Sequence, residues 1–230
     1  MNPYNTLVAN ASELDRAAFY KRTYTHVALA VLSFIVVEAL LLEFIPENVI
    51  IGMMSSRYLW LGIIGLFWLG GTMSEKLVAS ADRNTQYLGL GAYVILEAII
   101  FLPMIYIALI YSGGAAVIQQ AGLITLSMFT GLTAVVFLTN KDFSFLRTAL
   151  VIGGFISIGL IVAGALFGFD LGLWFSVGMV VLASVSILYQ TSQIKNQYET
   201  DQHVVAALQI FSSVMLLFWY VLRILMSRKN

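Results

Sequence analysis

The sequence predicts an all-α polytopic membrane protein, and three observations carry that prediction. Hydrophobic residues make up 60% of the 230, and the mean hydropathy is +0.90. Charged residues make up only 10%, against roughly 25% in a soluble domain. Continuous apolar runs long enough to cross a bilayer as helices recur along the whole chain. These runs do not alternate with period two, which excludes a transmembrane barrel. Twelve basic residues balance twelve acidic ones. No basic run is available to neutralise phosphates, which excludes a nucleic-acid partner. There is no cysteine, so disulfides, thiol nucleophiles, Cys-ligated zinc and iron–sulfur clusters are excluded.

The elements follow in chain order. Residues 1–25 form a polar segment with Asn2, Asn5, Asn10, Glu13, Asp15, Arg16, Lys21 and Arg22. It lacks the charged start, short apolar core and small-residue cleavage site of a signal peptide, so none is expected. Seven spans follow over about 26–45, 58–74, 87–111, 121–139, 148–168, 171–191 and 204–226, within a transmembrane domain of 26–226. Pro46-Glu47-Asn48 ends the first span, and residues 80–84 separate the second and third. Ser112-Gly113-Gly114 breaks the third, and Asn140-Lys141-Asp142 follows the fourth. Gly168-Phe169-Asp170 turns after the fifth, the polar stretch 195–202 precedes the last, and 227–230 is a short basic tail. Seven crossings collect Arg16, Lys21, Arg22, Lys76, Arg83, Lys141, Arg147 and Lys195 on the N-terminal side. Only Arg57, Arg223, Arg228 and Lys229 fall opposite. This bias predicts a cytoplasmic N-terminus. Trp60, Trp174, Tyr87, Tyr111 and Tyr198 lie near span ends and read as interfacial anchors. Gly153, Gly154, Ser157, Gly159, Gly164 and Gly168 read as close helix packing.

Polar groups inside the apolar runs are the candidate site residues, because an ionisable residue at membrane depth is costly. Glu97 lies mid-span with Pro103 six residues on. Proline removes a backbone donor and frees a carbonyl. Glu97 reads either as an ion or proton site or as a protonated acid holding helix register. Glu38, deep in the first span, is a candidate to line the same cavity, whereas Glu43 reaches water. Arg223 sits where it can snorkel. Ser186 with Gln190, and Gln209 with Ser213, are i,i+4 pairs on single helix faces. Ser213 lies about 15 Å into its span. An enzyme is not expected. His26 and His203 sit at span ends where they can approach each other, but two histidines are a weak zinc signal. Gly89-Leu90-Gly91 reads as packing, not a phosphate loop, and no cofactor is implied.

Several segments resemble the bacterial branch of the Bax-inhibitor (TMBIM) family. They are Arg22-Thr23-Tyr24, Leu96-Glu97, the run from Gly131 to Leu146 with Lys141-Asp142-Phe143, then Ile187-Leu188-Tyr189-Gln190-Thr191-Ser192, and Ala206-Ala207-Leu208 through Leu225. The match runs from about 16 to 226. The resemblance implies a seven-helix fold with the last helix central, in a bacterial inner membrane. It also implies a passive calcium or other cation leak, gated by paired aspartates on the last two helices. Here those positions are Gln190 and Ser213. Paired carboxylates cannot both ionise and so sense pH; an amide and a hydroxyl cannot. The expectation is a neutral Gln190–Ser213 latch, with Glu97, Glu38, Gln209 and Arg223 completing an ion pathway. The alternative is a non-conducting partner or substrate of a membrane protease, with the polar N-terminal segment as its handle.

Overall fold

In the computed structural model, residues 6–55, 57–80, 82–139 and 141–227 are described, with the side chains of 55–60 and 67 outside that description. Asn2, Asn5, Trp60 as an anchor, Asn140 and the tail 228–230 therefore lie outside the described residues. The described residues form eight α-helices: α1 Glu13–Phe44, α2 Glu47–Ser55, α3 Arg57–Val78, α4 Arg83–Tyr111, α5 Ala115–Leu138, α6 Leu146–Phe167, α7 Gly172–Asn196 and α8 His203–Ser227. Seven are long and apolar enough to span a membrane; α2 is the short exception.

The first helix starts thirteen residues before its apolar run. Ser12 caps it, accepting from the Asp15 amide at 3.2 Å, and acids at Glu13 and Asp15 suit the positive end of the helix. Its early turns bury Phe19, Thr23 and Val27. Phe19 and Val27 pack with Ile194 of α7 and Ala206, Ala207 and Ile210 of α8. Residues 13–25 are thus the first turns of α1, and no structural break falls at 25. Ahead of them, a 3₁₀ turn over Val8–Asn10 is tied to the α7–α8 connection. The Val8 amide donates to the Tyr198 carbonyl at 2.8 Å, and the Thr200 amide donates to that of Thr6 at 3.2 Å. Tyr198 packs against this cluster, so it is part of the clamp rather than an interfacial anchor. Trp174, Tyr87 and Tyr111 are exposed.

The last helix is the hub. Of the most apolar 18-residue stretch of α8, 72% is buried, against 56% for α4 and 11–22% for the other spans. It packs on α1, α3, α4, α5 and α7, and its Leu208, Phe211, Met215, Leu217, Val221 and Leu222 build the main core. Fully burying a side chain of this size contributes about 1.5–3 kcal/mol in water. In lipid, close fit and internal hydrogen bonds replace that drive.

Helix α4 runs unbroken through Pro103, with Asp82 as its N-cap. The Asp82 carboxylate accepts from the Thr85 amide at 2.8 Å and hydroxyl at 2.6 Å, which holds it below the usual aspartate value. The tightest backbone approach lies between α3 and α4. A Cβ on Gly89 would stand 2.7 Å from the Leu77 Cβ and 2.9 Å from both the Ser74 carbonyl oxygen and the Val78 nitrogen. The small-residue stripe on α6 is more mixed than expected. A Cβ on Gly153 would meet Leu182 of α7 at 2.6 Å, but those of Gly154 and Gly159 would meet nothing within 4 Å. Gly164 instead lies against its own turn, 3.2 Å from the Phe169 carbonyl oxygen. Gly168 ends α6 in the left-handed conformation at φ 76°, which glycine adopts without steric cost.

Lys141-Asp142-Phe143 docks the α5–α6 connection onto the end of α7. Asp142 accepts from the Ser144 amide at 2.9 Å, the Ser144 hydroxyl at 2.7 Å and the Ser192 hydroxyl at 3.2 Å. The Phe143 amide donates to Ser192 at 3.1 Å, while Lys141 is exposed. Lys195 donates to the Thr139 carbonyl at 3.1 Å, satisfying the end of α5.

Two outcomes check this packing. Gly89→Val should lose about 1–3 kcal/mol of stability through overpacking against backbone that cannot yield, whereas Gly91→Val, whose Cβ meets open space, should change little. Thermal unfolding in detergent separates them. The Ser144 and Ser192 bonds hold Asp142 below the usual aspartate range, with Ser144 the larger cause. A lowered folded-state value contributes stability above the unfolded value of about 3.9 and loses it as pH falls through the folded one. Asp142→Ala should therefore lower the melting temperature by a few degrees at pH 7, and the gap should close as acidification carries the pH down through the lowered folded-state value.

Candidate functional site

The candidate site is a stripe along α8 that meets polar groups from α3, α4 and α7. Gln209, Ser212, Leu216, Trp219, Tyr220 and Arg223 recur at three- and four-residue spacing, so they share one face. Two cavities open along it. The outer one, about 540 Å³, is lined by Ser212, Leu216, Trp219, Tyr220 and Arg223 of α8, by Tyr93, Glu97 and Phe101 of α4, and by residues of α3, α6 and the α6–α7 turn. The inner one, about 280 Å³, is lined by Tyr189, Gln190, Gln193, Gln197, Tyr198, Gln202 and Gln209. The α6–α7 turn and the α7–α8 connection lie at opposite ends of α7, so the two cavities sit toward opposite ends of the bundle.

Between them lies a septum of amide and hydroxyl hydrogen bonds, flanked by the carboxyls of Glu75 and Glu97. Ser213 donates to the Gln209 carbonyl at 3.0 Å, leaving Ser186 to donate to Ser213 at 2.8 Å. Gln190 donates from its amide to the Gln209 side-chain oxygen at 3.3 Å. Gln209 in turn donates to Glu75 of α3 at 3.5 Å. On the outer side, Tyr93 donates to Ser212 at 2.8 Å, and its hydroxyl also meets the Glu97 carboxyl one turn along α4. From Gln209 to Ser212 and Ser213 is one turn of α8, about 5 Å of rise.

The structure brings most of the sequence candidates together and corrects several details. Gln190 and Ser213 both face the α7–α8 seam, but they are not bonded to each other. Each pairs one helical turn away, Gln190 with Gln209 and Ser213 with Ser186, because the facing stripes meet in that register. Glu97 is 5% exposed and faces the outer cavity. Glu38 is equally buried but does not line that cavity; both its carboxyl oxygens lack hydrogen-bond partners. Arg223 does not simply snorkel: it pairs with Asp170 at 3.3 Å at the cavity mouth. Lys141, Asp142 and Phe143 serve the loop dock and line neither cavity. His26 and His203 do approach, with ring centroids 5.1 Å apart, while His26 also stacks on Tyr87 at 5.5 Å.

Sequence reasoning missed Glu75, Tyr93 and Asp170. Glu75 looked like an ordinary span end, and Asp170 an ordinary turn residue. Tyr93 had a usable signal, since it precedes Glu97 by four residues and so shares its face. Within the inner cavity, burial pushes the Tyr198 phenol up to about 12, so it stays a neutral donor near neutrality.

Comparison with known proteins agrees with this architecture. The family described as "Inhibitor of apoptosis-promoting Bax1" matches residues 16–230. An uncharacterized protein of Pseudomonas aeruginosa is 31% identical over 167 residues, covering 71% of each chain. An uncharacterized protein of Neisseria meningitidis serogroup A is 27% identical over 174 residues, 75% of each chain. Protein lifeguard 4 of Mus musculus is 26% identical over 229 residues, covering 96% of this chain and 90% of the mouse protein. With seven apolar spans and a buried last helix on which five of the others pack, this chain is an integral membrane protein that belongs to the Bax-inhibitor family.

Proposed function

We propose that the protein is a passive, non-enzymatic cation pathway of the Bax-inhibitor type, calcium being one candidate ion, whose closure does not depend on pH. One observation carries this reading. A single face of α8 lines two cavities that sit toward opposite ends of the bundle, their α8 linings about one helical turn apart. A carboxyl stands beside each chamber: Glu75, bonded to Gln209, and Glu97, in the outer lining. Hard cations favour such oxygens. The septum between them consists of amide and hydroxyl groups, which do not titrate near neutrality. Opening then requires Ser186–Ser213 and Gln190–Gln209 to part, a small separation of α7 from α8. The membrane is proposed to be the bacterial inner membrane, with the N-terminus cytoplasmic, on the Lys/Arg bias.

Purified protein in liposomes loaded with a calcium dye tests the reading. Flux should exceed that of empty liposomes at both pH 6 and pH 8, with similar rates. Flux equal to empty liposomes at both values rejects conduction; a steep rise with pH rejects the neutral septum.

Restoring acids should restore sensing. The double variant Gln190→Asp/Ser213→Asp places two carboxyls across the α7–α8 seam, where they compete for ionisation. Its flux should differ about tenfold between pH 6 and pH 8, while the single Ser186→Ala, which removes one septum bond, should raise flux equally at both.

A further inference from the structure

The outer cavity, read above as one chamber of the ion path, also has the makings of a small-molecule site. Its volume, about 540 Å³, falls within the roughly 300–1,000 Å³ range of ligand pockets. The walls are mostly apolar and aromatic: Phe101 and Trp219 meet edge to face at 4.9 Å, and Tyr93, Phe169 and Tyr220 add further rings. The formally charged residues of the lining are Glu97, Asp170 and Arg223. Arg223 is held at the mouth by the exposed Asp170, which leaves the buried Glu97 carboxyl as the group at depth that an incoming ammonium could pair with. Two acids and one base make the lining formally one charge negative. Aromatic faces attract cations, most strongly where water is displaced.

The geometry points to a binding site for an apolar organic monocation, a protonated amine on an alkyl or aryl body, with its nitrogen at Glu97 and its body against Phe101 and Trp219. An anionic amphiphile fits less well. Its head would have to displace Asp170 from Arg223, and its tail would end against a carboxyl. The site shares Glu97 with the proposed ion path, but binding is read at equilibrium and needs no ion to cross the septum, so failure of one reading is distinguishable from failure of the other.

A matched ligand series tests this. Phenylbutylamine, phenylbutanol and phenylbutyrate share one body and differ in charge. Each is titrated calorimetrically into the protein in phosphatidylcholine nanodiscs, with empty nanodiscs as the blank. The amine should bind at least about tenfold more tightly than the alcohol, and the carboxylate most weakly. Glu97→Gln should erase the amine's advantage and leave the alcohol unchanged. Leu216→Trp, which fills the cavity and keeps the carboxyl, should abolish binding of the amine and the alcohol alike. Equal binding of amine and alcohol overturns the proposal, as does tightest binding by phenylbutyrate. So does an amine advantage that survives in a Glu97→Gln variant with an intact unfolding transition. If that variant fails to fold, amine binding that persists in Leu216→Trp overturns it instead.

Discussion

A polar side chain inside a bilayer has to find its partner within the protein, because hydrocarbon offers none. Much of this bundle follows from that constraint applied to α8. Gln209, Ser212 and Ser213 sit on a helix most of whose apolar length is buried, and each reaches a different neighbour: Glu75 of α3, Tyr93 of α4 and Ser186 of α7. Three helices are thereby oriented about one, and the rotation of each is set by a hydrogen bond. Apolar contacts between helices and lipid are nearly interchangeable and fix such rotations poorly. The polar groups of the centre therefore give the fold its specificity as well as its candidate site.

The packing is uneven in a way that positions the cavities. At Gly89 the α3 and α4 backbones close to within about one atom of contact, and α7 lies against α8 through the serine and glutamine bonds. Helix α6 leans on α7 and α3, and the outer chamber opens among these elements and the core pair α4 and α8. The Arg223–Asp170 pair at its rim is solvent-exposed enough that it contributes little to stability; what it does is neutralise the entrance.

What the sequence discloses here depends on the range of the interaction. The seven spans were legible because each is a local property of 20 or so residues, and all seven match helices of the structure. The depth of Glu97 was equally legible, since it counts residues from a span end. The central place of α8 came from family resemblance, not from hydropathy, because a helix apolar all round looks alike whether it faces lipid or protein. Pairings across helices were beyond reach. Gln190 meets Gln209 rather than Ser213 because of a relative slide and rotation of α7 and α8, and nothing in either segment alone encodes it. Glu38 misses the cavity for the same reason: its rotation about α1 decides its surroundings, and the apolar run around it is uniform. The helical start at Glu13 was hidden by polar composition, although the Ser12 and Asp15 cap was present in the sequence.

The central position of α8 also bears on biogenesis. A chain emerges from the ribosome N-terminal end first, so the six earlier spans are made before the helix on which five of them pack. Until then Tyr93 and Ser186 lack the hydroxyls they later bond, and the 3₁₀ turn at Val8 has no α7–α8 connection to grip. The contacts that orient α3, α4 and α7 about α8 therefore form only once α8 has been made.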